Sequence, residues 1–230
     1  MRICIRLALA AMVLGSCSLL GPIVERGNGV AVTTPVKVDG FSSISIPSSI
    51  DVVYTLSDEG RSVVLTCDEN LLEYYDIHVE GKTLVADTKR GTISLSPKVK
   101  TVLTVSAPVL EGVNVSGSGD CTVHGYIPAC DAFYLKCSGS GDISVESINA
   151  KTAEISISGS GNITIDGISA DSIKARTTGS GNISLVCKDV GSIDASISGS
   201  GNIRLSGTAS SLQSKTTGSG RIYAETLRIP

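Results

Sequence analysis

The chain has 230 residues, of which 41% are hydrophobic and 18% charged, and a formal net charge of −3; that is the balance of a folded protein with one large or two small domains. Aromatic residues make up only 3% and Trp is absent, so apolar burial rests on small and β-branched side chains, which favours strands. The acidic balance, without a basic cluster or an aromatic-basic platform, excludes nucleic acid as a partner.

At the N-terminus, Arg2 and Arg6 precede the apolar run LALAAMVL and small residues stand before Cys17, the pattern of a secretory signal over residues 1–16. The run is too short to span a membrane, and no later stretch reaches the roughly 20 apolar residues that a span requires. The stretch LGSC, Leu14 to Cys17, resembles the lipobox of bacterial lipoproteins, in which cleavage leaves the cysteine at the new N-terminus for acylation. Cys17 is then the lipidation site and the link to the membrane, residues 17–34 are the lipidated N-terminus and tether, and the protein belongs to the cell envelope, anchored at the outer membrane. Cleavage removes two cations, so 17 Lys and Arg face 22 Asp and Glu and the mature charge is −5.

Cys4 leaves with the signal, and Cys67, Cys121, Cys130, Cys137 and Cys187 remain beside the lipidated cysteine. Their number is odd, and neither a CxxC nor a Cys/His spacing marks a zinc site, so no metal is expected. Buried core thiols are favoured over a disulfide among Cys121, Cys130 and Cys137.

Strand-like pieces follow the tether at FSSISI, DVVYTL and SVVLTC. The stretch DENLLEYY starts with Asp68 as a capping residue and predicts one or two helical turns, and IHVEGKTLVAD predicts a hairpin bending at Glu80-Gly81-Lys82. TVLTVSAP then feeds the regular part of the chain. One β domain over residues 35–230 is expected, its irregular early turns covering apolar residues and strand edges that the end of a coil would otherwise expose.

From Ser116 onward the chain repeats itself. A hydroxyl residue followed by Gly-Ser-Gly recurs at Ser116, Ser138, Ser158, Thr178, Ser198 and Thr217, at steps of 22, 20, 20, 20 and 19 residues. After each glycine pair, apolar residues alternate, as in NITI and NISL, which is the period of a strand. One inward column holds Cys121, Ile143, Ile163, Ile183, Ile203 and Ile222, and the next holds Val123, Val145, Ile165, Leu185, Leu205 and Ala224. A second alternating segment before each pair adds Phe133, Ala153, Ile173, Ile193 and Leu212, then Leu135, Ile155, Ala175, Ala195 and Ser214. Each period therefore reads as one coil of two short strands, joined tightly through Gly-Ser-Gly and loosely through a link of six to eight residues. Coils stacked about 4.8 Å apart turn the columns into a continuous core. The period suits a compact parallel β-helix, since leucine-rich repeats need a Leu consensus and propeller blades about twice the length.

The glycines, Gly117, Gly119, Gly139, Gly141, Gly159, Gly161, Gly179, Gly181, Gly199, Gly201, Gly218 and Gly220, read as turn residues, needed for positive φ or for a corner too crowded for a Cβ. Beside them Asp120, Asp142, Asn162, Asn182 and Asn202 stack into a side-chain ladder. A dinucleotide fingerprint is excluded because the third glycine is missing after Gly159-Ser160-Gly161. Calcium repeats are excluded because the period is not nine and the ladder trades Asp for Asn. No cofactor is expected.

The glycine-centred repeats, the stretch VDGFSSISI with the IDVVYTL strand, and the lipobox together resemble the head GIN domain family of auto-transporter adhesin-like proteins of Gram-negative bacteria, over about Val36 to Ile229. The resemblance implies an all-β, right-handed parallel β-helix (solenoid) with GSG turns between two sheets, similar to pectin lyases in architecture and without their catalytic apparatus. It implies adhesion as the function and carries over no catalytic residue. Arg221 in the last repeat and the long first period containing Cys130 depart from the pattern.

Two functions fit this reading. The first is a non-catalytic envelope protein that presents a stiff surface for adhesion or assembly; the alternative is a polysaccharide-binding or polysaccharide-degrading β-helix. The inventory favours the first. His78 and His124 form no triad, the serines repeat in identical turns where none is uniquely activated, and only Asp120 with Asp142 offers the paired carboxylates of glycoside hydrolysis. For ligand binding, the first long connection supplies Tyr126 and Tyr134, and Lys174, Arg176, Arg204, Lys215 and Arg221 form a thin basic strip against a background of solvated charge. The partners left open are the membrane through the lipid, another envelope protein, a host surface, a glycan, or a second copy of the chain.

Overall fold

The computed structural model describes residues 23–89 and 93–230, so the signal segment, Cys17 and the start of the tether lie outside the described residues. In chain order the strands are β1 Ile23–Arg26, β2 Ala31–Pro35, β3 Ser43–Ile46, β4 Asp51–Leu56, β5 Ser62–Asp68, β6 Tyr75–Glu80, β7 Thr83–Thr88, β8 Ile93–Ser96, β9 Val102–Ala107, β10 Gly112–Val115, β11 Cys121–Cys137, β12 Ile143–Ile157, β13 Ile163–Thr177, β14 Ile183–Ile197, β15 Ile203–Thr216 and β16 Ile222–Arg228. A 3₁₀-helix, Glu69–Tyr74, is the one helical element among the described residues. None of their helices is long and apolar enough to cross a membrane.

The regular part is a parallel β-solenoid. Ile143, Ile163, Ile183 and Ile203 stand opposite one another in successive strands, and each is buried. The columns anticipated from alternation are inward as far as the last coil. There Leu212, Ile222 and Ala224 are only partly buried and Ser214 is exposed, because β16 covers only the first half of β15 and no strand among the described residues covers β16.

One expectation changes. The link between the two strands of a coil is not a loose connection: β11 to β15 each run unbroken through it, and the ladder absorbs the bend as register shifts, for example between Val123 and Tyr126. A β-bulge turns the chain without giving up pairing, and the link residues point inward often enough to form a further column, Ile127, Ile148, Ile168 and Cys187, all buried.

The N-terminal strands stack in an order different from that of the chain. β3 and β4 form a coil that lies directly against β10 and the start of β11, while β7 and β9 lie on its other side. TVLTVSAP, which holds β9, is thus separated from the first glycine coil by the earlier β3–β4 coil. Antiparallel strands close this end: β6 returns on β7 through Gly81-Lys82, with Gly81 at φ +63°, β5 pairs with β9, and β2 pairs with β5.

Asp68 occupies the N-cap position of the 3₁₀-helix but makes no side-chain cap. Its fully buried carboxylate instead accepts the backbone N–H groups of Gly29 at 2.7 Å and of Lys98 and Val99 at 2.9 Å each. Burial alone would raise its pKa, but these three donors hold it below the usual carboxylate value. The five cysteines among the described residues are free thiols, with only Cys130 half-buried. Burial, reinforced by the charge of Asp120, pushes Cys121 up to about 12.

Candidate functional site

The glycine corner is a joint of the framework. Gly139 O accepts the N–H groups of Ser160 at 3.0 Å and Gly161 at 3.3 Å, and the same fork recurs at Gly117, Gly159, Gly179 and Gly199. A Cβ on any of the twelve turn glycines would collide with a carbonyl of the preceding coil, and among the twelve only Gly218, at φ +116°, has a left-handed backbone. Glycine is required here for close approach rather than for handedness.

Beside this joint runs the Asx ladder. Asp142 Oδ1 accepts both the backbone N–H and the side-chain amide of Asn162, at 2.7 and 3.0 Å; Asn162 and Asn182 repeat the arrangement toward Asn182 and Asn202. The ladder begins one rung earlier than the repeats suggest, at Asp51, whose Oδ1 accepts Asp120 N–H at 2.9 Å and whose Oδ2 lies 2.7 Å from Lys100 Nζ. It ends where Arg221 N–H donates to Asn202 Oδ1 at 3.1 Å. Asp120 and Asp142, the pair considered for hydrolysis, are therefore built into the joint: Asp120 Oδ1 accepts Asp142 N–H at 2.9 Å.

A different surface is concave. The second halves of β11 to β15 turn their outward residues onto a groove of about 700 Å³. One row across it is Ala132, Thr152, Ser172, Ser192 and Ser211, and the next is Tyr134, Glu154, Lys174, Asp194 and Gln213, each in register with its neighbour. A third row carries Lys136, Arg176 and Lys215, with Ser156 and Ser196 between them. Past Tyr134 and Lys136 the face continues into a second hollow of about 500 Å³ over Asn114, Ser45, Val85 and Glu80. A third, of about 340 Å³, lies between Arg176 and Lys215 and the hydroxyls of Thr178, Ser196 and Ser198.

Tyr134 is fixed at the junction of the first two hollows. Its ring lies flat on Gly112, where any Cβ would enter the ring, and Lys136 Nζ is 5.6 Å from the ring centroid. Arg176 and Asp194 are 3.6 Å apart and about half exposed, a geometry that contributes little in water. Lys136, Lys174 and Lys215 form no ion pair among the described residues.

The remaining candidates lie elsewhere. Tyr126 is 53% exposed at the bulged corner, its hydroxyl accepting from Asn149 Nδ2 at 2.9 Å. His124 Nδ1 is 2.7 Å from Glu146 Oε1, and that hydrogen bond, together with one from Gly125 N–H, holds the Glu146 carboxyl below its ordinary range. His78 is 3.4 Å from Asp76. Of the basic strip, Lys174, Arg176 and Lys215 reach the groove; Arg204 stacks 5.2 Å from the Tyr223 ring on the first half of its coil, and Arg221 is at the ladder's end. No group of three His, Cys, Asp or Glu able to hold a metal occurs among the described residues.

Sequence and structure comparisons agree on what the chain resembles. A family model described as "Putative auto-transporter adhesin, head GIN domain" matches residues 40–168 and 153–229. Crystal structures of similar fold include one described as a "putative adhesin" from Bacteroides fragilis, at 20% identity and a TM-score of 0.71, covering 86% of this chain and 99% of that one. Two from Parabacteroides distasonis are also similar. One is described as a "putative adhesin" (23% identity, TM-score 0.61, covering 87% of this chain and 99% of that one) and the other as a "Putative lipid binding protein" (24%, 0.59, 87% and 98%). No curated protein matches the chain.

Proposed function

We propose, since the chain belongs to the head GIN domain family, that it is a non-catalytic, adhesin-like lipoprotein, held at the outer membrane by lipid on Cys17 and presenting the grooved face of its solenoid to a partner. The observation that carries this reading is a division of labour within each coil. In the turn corner, Oδ1 of each carboxylate that hydrolysis would use is committed to hydrogen bonds between coils. The opposite half of the coil leaves charged and hydroxyl side chains in an open groove. A rigid scaffold with an uncommitted face suits binding without chemistry.

The test has three parts. Beads coated with the purified full chain are expected to adhere to cells or isolated envelopes above uncoated beads; no adhesion to any surface refutes the adhesin-like role. Turnover of a polysaccharide, abolished in Asp120→Ala/Asp142→Ala, refutes the non-catalytic one. Cys17→Ser is expected to move the protein out of the membrane fraction and to abolish labelling by a radioactive fatty acid.

A further inference from the structure

We propose that the grooved face binds an acidic polysaccharide laid along the solenoid axis, one whose anionic sugars recur at every second residue. This rests on the adhesin-like reading above and names the ligand class for it.

The sign comes first. The chain as a whole is acidic, at −3, yet the two outer rows of the groove carry Lys136, Lys174, Arg176 and Lys215 against Glu154 and Asp194 alone. Just outside those rows Lys151 stands between Asp131, at 2.6 Å, and Asp171, and Glu80 borders the second hollow, so the excess of cations belongs to the two rows themselves. An excess of cations along two rows of an acidic protein favours an anionic partner there.

The spacing then narrows the class. The register puts cations on β11, β13 and β15 and carboxylates on β12 and β14. Like charges thus recur every two coils, about 10 Å at the usual 4.8 Å between strands, which matches the length of an extended disaccharide. A polymer with one carboxylate or sulfate per disaccharide meets a cation at each anionic sugar and an acidic acceptor at each neutral one, where hydroxyls can donate. A polymer charged on every sugar meets Glu154 and Asp194 with like charge.

The hydroxyl row fits the same ligand. Thr152 Oγ1 donates to Asp131 O at 3.1 Å, Ser192 Oγ to Asp171 O at 3.4 Å and Ser211 Oγ to Gly191 O at 3.5 Å. With its proton turned to the backbone, the Thr152 oxygen offers lone pairs to the groove, while the serine hydroxyls, held at most by long contacts, are free to accept from or donate to sugar hydroxyls. At the groove's end the Tyr134 ring, held on Gly112 with Lys136 Nζ 5.6 Å from its centroid, is the outward aromatic group of the groove, and a sugar that displaces the mobile lysine head can pack its apolar face there.

Other polyanions fit less well. A peptide adding as a strand needs an open edge, and across the groove β11 to β14 are paired on both sides; the second half of β15 is open only at the groove's end, where an added strand would extend the sheet without crossing the charged rows. A lipid surface needs exposed apolar side chains, and the exposed large ones among the described residues, Val24, Val30, Val109, Tyr126, Val186 and Ile229, all lie off this face. Single-stranded nucleic acid calls for successive aromatic platforms, where this groove has one.

The full chain in detergent is titrated at low and at 0.5 M salt with equal-length oligomers of a uronate–N-acetylhexosamine copolymer, polygalacturonate, dextran and polyglutamate, and with phosphatidylglycerol vesicles and oligo-dT. The alternating copolymer is expected to bind tightest. Lys174→Gln/Arg176→Gln and Tyr134→Ala, checked for unchanged melting, are expected to weaken it at least about tenfold, the equivalent of one lost charge-assisted hydrogen bond, and Arg204→Gln is expected to leave it unchanged. Equal binding of all the polyanions, tightest binding to vesicles or oligo-dT, or indifference to Lys174→Gln/Arg176→Gln overturns the proposal. Coated beads separate the two readings: beads carrying the double variant that adhere as well as wild type sink the groove and leave the adhesin-like role standing, whereas wild-type beads that adhere to nothing sink both.

Discussion

Gly161→Ala probes the joint at the middle of the regular stack. The added methyl would lie inside van der Waals contact of Gly141 O, 2.7 Å from Cys137 Sγ and 2.9 Å from the Gly141 carbonyl carbon, where carbon atoms normally stay about 3.5–4.0 Å apart. Neither backbone can yield without moving its coil, so the rung must open by roughly 1 Å. The hydrogen bonds that close it, Ser160 N to Gly139 O at 3.0 Å, Gly161 N to Gly139 O at 3.3 Å and Asn162 N to Asp142 Oδ1 at 2.7 Å, then stretch past useful length. Two or three lost bonds at about 1 kcal/mol each, added to the strain of overpacking, come to about 3–5 kcal/mol. Urea unfolding followed by far-ultraviolet circular dichroism reads the loss as a lowered midpoint, and hydrogen exchange at the amides of residues 160–162 places it. Ser160→Ala is the control: the side chain is exposed, its hydroxyl makes no hydrogen bond among the described residues, and its change is expected to stay within about 0.5 kcal/mol. A Gly161→Ala protein within 1 kcal/mol of wild type, on the same order-of-magnitude scale, refutes close approach as the reason for the glycines.

Asp68→Asn should destabilise the N-terminal cap at neutral pH, because an amide nitrogen would face an N–H that the carboxylate now accepts. Since the folded pKa of Asp68 lies below its unfolded value, the carboxylate's contribution is present above the unfolded pKa and is lost as pH falls through the folded one; melting curves of the two proteins should converge on acidification, and a pH-independent gap contradicts the assignment. Of the five cysteines among the described residues, Cys130 alone should react with a thiol reagent in the native protein, because it is the one that is not buried; its own thiol is pushed up by partial burial and by Glu111 and Asp131, so labelling should be slow and quicken with pH; rapid native labelling of the buried Cys121 or Cys187, read by peptide mass, refutes this. Asp120→Asn should raise the melting temperature, by less as salt increases, because it gives Asp51 a side-chain amide donor and removes one of three successive carboxylates from the ladder. A lower melting temperature at low salt contradicts that account.

The regular coils were legible because an inward column repeats like residues at a fixed step, a signal that survives without knowing the register. The β3–β4 coil was hidden for a physical reason. Its turn, Pro47-Ser48-Ser49-Ile50-Asp51, occupies the same places as Ser116-Gly117-Ser118-Gly119-Asp120, and Ser48 O accepts from Ser118 and Gly119 as Gly117 O does from Ser140 and Gly141. Glycine is demanded of a coil only by the carbonyls of the copy below it; the β3–β4 turn meets no earlier glycine corner, since Ser48 Oγ donates to Ala86 O of β7 at 2.8 Å and Asp51 N–H to Thr101 O at 3.1 Å, so the motif that marks every later coil is missing from the first. The stacking order and the role of Asp68 were equally out of reach, since both depend on contacts between residues some thirty to seventy positions apart. Tyr134 was visible as an aromatic in a long connection, but the groove around it was not, because outward rows share chemistry only across coils.

The same constraint explains where such a protein can vary. At the corner, each position answers to the coil before and the coil after: a side chain on the glycines meets a carbonyl, and a change in the Asx residue breaks a bond on either side. Inward columns answer to packing. Outward residues of the second half-coil answer to neither, since their backbones are already paired and their side chains face solvent. In the rows from Tyr134 to Gln213 and from Lys136 to Lys215, successive coils carry an aromatic, acids, bases, hydroxyls and an amide on one unchanged backbone. A solenoid that holds its joints constant and leaves this strip free can be fitted to a new ligand one coil at a time, with each substitution displaced about 4.8 Å along the axis from the last.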